Sequence, residues 1–145
     1  MSLFSVLSVS VSGMQAQRTR AELLVENLAN SETTRTPEGG PYRRKDAIFS
    51  STPTASPFSA VFQTEMGDGV SGVEVSNVTE DTREPERRYL PGHPDADATG
   101  YVSFPRINPA EDMADLLSAS RGFEGNVAAM SAIKSMLQKS IDLMK

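Results

Sequence analysis

The sequence predicts a mainly α protein with a small β region. A long helix lies at each end of the chain, the two pairing as a coiled-coil-like bundle, with a short irregular β-hairpin segment between them. Three observations carry this reading. Apolar residues recur at alternating spacings of three and four over residues 1–30 and again over 108–145, the pattern of a helix that packs against another helix. Most prolines and glycines fall in residues 31–107. The same middle stretch holds short runs rich in Val, Phe and Thr, which suit strands.

In the first helix, Phe4, Leu7, Val11, Met14, Ala21, Val25 and Leu28 form the seam, with Arg18 as its one polar member. Leu3, Val6 and Leu24 widen it. The run "SVSVS" at 8–12 alternates as a strand would, but the period before and after it is helical. The pattern stops between Asn27 and Asn30 and gives way to "SETTRTPEGGPYRRK". The middle segment contains "AIFSS", "FSAVFQTEM", "GVEVSNVTE" and "GYVSF". The second and third flank "GDGVS", which reads as a hairpin connection.

The last helix has a marked start. Asn108 is placed to be its N-cap, Pro109 its first residue and Glu111 the third residue of a capping box. Asp112 and Asp115 add negative charge where the helix dipole favours it. The seam reads Leu116, Phe123, Val127, Met130, Leu137, Ile141 and Met144, with Ser120 and Lys134 as polar members, and Met113, Leu117, Ile133 and Met136 widening it. Such a helix spans roughly 36 residues, or about 54 Å at ~1.5 Å per residue. Gly125 costs about 1 kcal/mol relative to Ala inside a helix, and a close helix–helix approach there would account for it.

Composition excludes several function classes. With 145 residues, one domain is expected. There is no cysteine, hence no disulfide framework, thiolate metal site or Cys nucleophile. The single histidine, His93, leaves no His-rich metal site. A net charge of −5 argues against a nucleic-acid binder. The N-terminus lacks the basic region and continuous apolar core of a secretory signal, and no window approaches the ~18 apolar residues of a membrane span. No cofactor is indicated, and no nucleophile has a base near it in sequence.

Two motifs match ligand sites only formally. "GDGVSG" at 67–72 has the spacing of a dinucleotide loop, but strand-like "VEVSNV" comes after it where a helix is required. "DADATG" at 95–100 opens like a calcium loop, yet the twelfth position is Arg106 instead of a bidentate acid. A small soluble cation- or nucleotide-binding protein using residues 67–100 is therefore the alternative function. The basic cluster Arg43, Arg44 and Lys45, flanked by Glu38 and Asp46, suits either a solvated patch or a contact with an acidic neighbouring subunit.

A resemblance covers nearly the whole chain. "SGMQAQRTRAELLVENLANSETT", "GGPYRRK", "YLPGHPDADATGYVSFP" and "EDMADLLSASRGFEGNVAAMSAIKSM" together resemble the axial proteins of the bacterial flagellum, within them the basal-body rod family and its proximal-rod branch. Two departures from the family pattern are Arg106, where Asn is usual, and Phe123, where Tyr is usual. The resemblance implies a structural subunit and no enzyme, part of the rod that carries motor torque across the periplasm. It implies export through the flagellar export apparatus without a cleaved signal. The implied partners are other copies of the chain and other proximal and adjoining distal rod subunits, with no membrane insertion. Residues 1–30 and 108–145 would form an inner layer and 31–107 an outer one. Leu7, Val11, Met14, Val25 and Leu28 would pack on Phe123, Val127, Met130, Leu137 and Ile141 and on neighbouring subunits. Asn27, Asn30 and Asn126, polar groups beside apolar seams, would fix helix register, or Asn30 would simply cap its helix.

Overall fold

The computed structural model describes residues 3–53 and 71–143. Helix α1 runs over Leu3–Ala29, followed by strands β1 (Lys45–Pro53), β2 (Ser71–Glu80), β3 (Glu86–Tyr89) and β4 (Tyr101–Phe104), and then helix α2 (Pro109–Asp142). The helices make up about half of the described residues. The strands form two antiparallel two-stranded sheets, β1–β2 and β3–β4.

The "SVSVS" run is helical because its hydroxyls find partners inside the helix. Ser8 donates to the Ser5 carbonyl (2.8 Å), Ser10 to Val6 (3.1 Å) and Ser12 to Val9 (2.8 Å), so no serine needs a partner outside its own turn. At the start of α2, the Asn108 side chain accepts from the Ala110 amide (3.2 Å), with Pro109 at the first helical position.

The two helices run antiparallel, and three contacts set their alignment. Gly13 faces Asn126, Gln17 lies against Gly122, and Arg20 pairs with Asp115 at 3.0 Å. The close approach is at Gly13 and Gly122, where an added Cβ would come within 3.0 Å of the Asn126 amide and 3.2 Å of Gln17. Gly125, expected from the sequence to mark this approach, faces open space.

The covered stripe of α2 is Asp112, Leu116, Ala119, Asn126, Met130, Ile133 and Leu137. It shares Leu116, Met130 and Leu137 with the seam read from sequence, but Ala119, Asn126 and Ile133 each lie one residue before that seam's Ser120, Val127 and Lys134. Spacing alone could not choose between the two stripes, because both keep a helical period and share Leu116, Met130 and Leu137. One residue along a helix turns the face by about 100°. The small side chains of Ala119 and Gly122 decide the matter by letting α1 come close.

Helix α1 is covered on two sides, by α2 and by the β1–β2 sheet. Its solvent stripe is Val11, Gln15, Arg18, Glu22, Val25 and Ala29. The sheet docks through a specific contact: the Val73 amide donates to the Ser12 hydroxyl at 3.1 Å, and a Cβ on Gly72 would lie 2.8 Å from that oxygen.

In the middle segment, the described strands pair across the chain. Strand β2 holds "GVEVSNVTE", but its partner is β1, which contains "AIFSS"; the register runs from Lys45↔Glu80 to Pro53↔Ser71, with a bulge between Ile48 and Phe49. The run "FSAVFQTEM" and most of "GDGVSG" lie outside the described residues, and the chain from Ser71 onward is strand. The "GYVSF" run forms β4 and pairs with β3, "ERRY". Strand β3 had no apolar alternation to betray it. Its arginines instead lie over the rings of β4, Arg87 above Tyr101 (5.3 Å) and Arg88 above Phe104 (4.9 Å), and such cation–π contacts hold a polar strand in place.

The glycines differ in their expected response to substitution. Gly125→Ala is expected to raise the unfolding free energy of the lone chain by up to about 1 kcal/mol. Gly13→Leu is expected to lower it by about 1–3 kcal/mol through overpacking against Asn126. Urea unfolding followed by circular dichroism measures both, and equal effects would contradict the placement of the helix contact.

Candidate functional site at the end of helix α1

The most completely buried polar side chains among the described residues, Asn27 and Asp112, lie at the junction where α1 ends and α2 begins. Asn27, in the last turn of the helix, is 0% exposed. Its Nδ2 donates to the Lys45 carbonyl (2.9 Å), and its Oδ1 accepts from the Lys45 amide (2.9 Å) and from the Tyr42 hydroxyl (3.0 Å). The side-chain amide thus pairs with one backbone residue in both directions, as a neighbouring strand would. That contact fixes where β1 begins.

Asn30 has a different role. Its Nδ2 donates to the Glu26 carbonyl (2.9 Å), its amide reaches the Glu26 and Asn27 carbonyls (3.1 and 3.2 Å), and its Oδ1 accepts from the Thr33 hydroxyl. These bonds close the helix, since its last carbonyls lack partners in the next turn. The chain then loops back through Gly39 and Gly40, both at positive φ (94° and 81°), and the Tyr42 amide donates to the Thr33 carbonyl at 3.0 Å.

The basic cluster on this loop is largely used within the chain. Lys45 Nζ lies 2.6 Å from Glu26 Oε1, and this hydrogen-bonded carboxylate raises the lysine's pKa. Burial pushes the Tyr42 hydroxyl above its ordinary range, with the Glu26 charge adding to it. Arg44 lies 3.2 Å from Asp46 and 3.0 Å from Asp112. Only Arg43 of the three is exposed, donating to the Asp81 carbonyl at 2.8 Å.

Asp112, in the first turn of α2, is 0% exposed. Arg44 approaches it off the hydrogen-bond axis, so both carboxylate oxygens lack a hydrogen-bond donor among the described residues. Burial raises its pKa, the Arg44 charge opposes that rise, and Asp46, Asp115 and Glu111 add to it. Nothing in the sequence marked this pair. Helix-dipole reasoning explained Asp112 sufficiently, and only the fold brings Arg44 of the segment entering β1 onto it.

The "HPDAD" block forms a second polar centre. Asp97 Oδ1 accepts from the Thr99 amide (2.8 Å), the Thr99 hydroxyl (2.6 Å) and the Tyr101 amide (3.0 Å), and Arg87 takes its other oxygen. These donors hold the Asp97 carboxyl down at about 2, the Thr99 hydroxyl foremost. Asp95 accepts from the Thr34 hydroxyl at 2.8 Å, and its amide donates to His93 Nδ1 at 3.1 Å. Asp95 ties the β3–β4 hairpin to the loop after α1, and Asp97 shapes the turn. Among the described residues no group of three or more His, Cys, Asp or Glu is placed to hold a metal ion.

The residues singled out as a helix-packing interface separate into two sets. Asn27 is buried, and Leu7, Met14, Leu28, Asn30, Asn126, Met130 and Leu137 are half-buried. Val11, Val25, Phe123, Val127 and Ile141 are exposed, each by 38–52%.

Residues 98–143 match the family model described as the C-terminal region of flagellar basal body rod FlgEFG proteins. Over its full length the chain is 41% identical to the flagellar basal-body rod protein FlgC of Bacillus subtilis (strain 168), covering 100% of both chains. The chain belongs to the FlgC family of flagellar basal-body rod proteins. It is also 36% identical to the FlgC of Borreliella burgdorferi, over 100% of this chain and 99% of the relative. It is 33% identical to the FlgC of Salmonella typhimurium, over 99% and 98%. FlgC relatives are structural components of the basal-body rod and not enzymes, so this chain is a structural rod protein. Cation or nucleotide binding by residues 67–100 finds no support among them. No helix among the described residues is long and apolar enough to cross a membrane.

The junction has two consequences for stability. Asn27→Ala leaves the Lys45 amide and carbonyl without their buried partner, a loss of about 2–4 kcal/mol. Arg44→Met strands the Asp112 charge and is expected to cost about 3–5 kcal/mol near neutral pH. The sign of the pH effect comes from the raised Asp112 pKa. The folded chain prefers the protonated carboxyl, so that contribution is complete below the ordinary carboxylate range and is lost as pH rises through the raised value. Asp81 and Asp97, held at about 2, run the other way and lose their contribution as pH falls toward that value. The Arg44→Met penalty should therefore shrink at about pH 4 relative to about pH 8. Urea titrations at both conditions test this, and an equal penalty would remove Asp112 as its source.

Proposed function

We propose that the chain is a subunit of the proximal rod that assembles through its two terminal helices into a tube carrying torque across the periplasm. Residues 1–30 and 108–145 form the inner layer, where helices from one chain and its neighbours pack in a coiled-coil-like arrangement. Residues 31–107 form the outer layer. The subunit reaches its place through the flagellar export apparatus without a cleaved signal, and its neighbours are further copies and other proximal and distal rod subunits.

One observation supports this reading most directly. Exposed apolar residues stand on both helices: Val11 and Val25 on α1, and Met113, Leu117, Phe123, Val127, Met136 and Ile141 on α2. Val127 and Ile141 are 45% and 52% exposed. They keep the seven-residue spacing of a helix seam, yet the partner helix of the same chain occupies a different stripe. A monomer gains nothing from such a face, while burial in an assembly would contribute about 25 cal/mol per Å² of apolar surface. We assign Asn126 a register role at the other stripe. Its amide lies against Gly13 and also donates to the Gly122 carbonyl at 2.8 Å, so a helix slipped by one residue would drive a side chain into it.

Val127→Asp and Ile141→Asp are expected to change the stability of the isolated chain by no more than about 0.5 kcal/mol, as exposed substitutions do. In a strain carrying the variant as its sole copy, they should abolish swimming and remove the chain from purified basal bodies. Ile133→Ala, at the buried stripe, should instead cost about 2–5 kcal/mol in the isolated chain. Normal motility with both aspartates in place would refute assembly through this face.

A further inference from the structure

Four arginines converge on one shallow depression of the surface. Arg43, Arg44, Arg83 and Arg106 line it with Asp81, around Tyr42, Pro85 and Pro105. Tyr42 and Pro105 are buried and Pro85 is half-buried. Two proline rings with fixed backbone angles make a stiff floor. Arg44 is turned toward Asp46 and Asp112, which leaves Arg43, Arg83 and Arg106 exposed around the rim.

Asp81 is the sole carboxylate among the described residues that line the depression. Arg83 grips both of its oxygens at 2.6–2.9 Å, and Arg43 takes its backbone carbonyl. One arginine thus saturates the carboxylate. Arg43 and Arg106 have no ion-pair partner among the described residues. Glu86, a further acid on the neighbouring strand, is held by Arg88 at 3.0 Å. In a chain of net charge −5, a site with four arginines and one aspartate leaves the remaining surface more acidic than the whole. Carboxylates without ion-pair partners among the described residues stand exposed on α2 at Glu111, Glu124 and Asp142.

We propose that this depression is a docking site for the carboxylates of a second copy of the chain in the assembled rod, with Arg43 and Arg106 as the receiving groups. The proposal rests on the rod-subunit reading and adds a partner and a site to it. Guanidinium groups present paired donors that match a carboxylate. The depression is too shallow to enclose a small molecule, and a protein surface laid across it can supply several acids at once. Charge complementarity favours a copy of this chain, whose surface outside the depression is acidic. Such contacts act on orientation and partner choice more than on raw affinity, so they would complement the apolar helix faces by selecting the angle at which copies meet.

The test uses a strain whose only copy is the full chain. Arg43→Glu together with Arg106→Glu is expected to leave helix content and thermal midpoint of the purified protein unchanged and to lower its amount in isolated basal bodies at least tenfold. Arg43→Lys with Arg106→Lys should keep most of the incorporation. Because the chain has no cysteine, Thr82→Cys beside the site can carry a photo-crosslinker, and the expected adduct in basal bodies is chain to chain, identified by mass spectrometry. Parental incorporation of the Glu variant, or adducts solely with a different protein or with a non-protein polymer, overturns the docking site while the rod reading stands. Absence of the parental chain from basal bodies overturns both.

Discussion

The fold depends on one buried amide. Asn27 pairs with the Lys45 backbone in both directions and receives the Tyr42 hydroxyl. A fully buried polar side chain is costly unless its hydrogen bonds are made, and here the bonds can be made only if the chain turns back at one place. That requirement sets the length of the loop after α1, the first residue of β1 and, through the β1–β2 register, the position of the sheet on α1. The apolar core is too small to impose this alone, since its buried members among the described residues are seven, two of them alanines.

Around that amide the charges are arranged in pairs that cross between elements. Lys45 of β1 reaches Glu26 of α1, Arg44 just before β1 reaches Asp112 of α2, and Arg20 of α1 reaches Asp115 of α2. Each element is therefore tied to the other two. Exposed ion pairs contribute little to stability, but a pair with a buried carboxylate is a different case. Removing one partner is expensive, whereas keeping both confers little net stability. The consequence is specificity of arrangement: α2 cannot shift along α1 without exposing Asp112 or leaving it alone. A structural rod subunit must hold its helices and its β segment in a fixed relation, and a junction of this kind suits that need.

The two helices divide their surfaces between the chain and its surroundings. One face carries small residues and Asn126 and closes on the partner helix, while another keeps Val127 and Ile141 exposed. In the proposed assembly these are complementary requirements. Small residues allow a close intrachain pair, and the larger apolar residues remain for neighbours.

Much of this was legible in the residues themselves. The three-four spacing and the Asn108–Pro109 start identified both helices, because helix periodicity and capping are local properties. The end of α1 between Asn27 and Asn30 was legible for the same reason. The tertiary structure decided what spacing leaves degenerate. It chose the Ala119–Asn126–Ile133 stripe for the intrachain contact over the Val127–Ile141 stripe, since the choice turns on how closely α1 approaches. It paired β2 with β1 and turned "ERRY" into a strand, because strand partners are set by long-range hydrogen bonds and by rings beneath arginines. It also moved Arg44 and Lys45 from an apparent surface cluster into an internal junction, for most of the carboxylates that hold them are distant in sequence and near only in space.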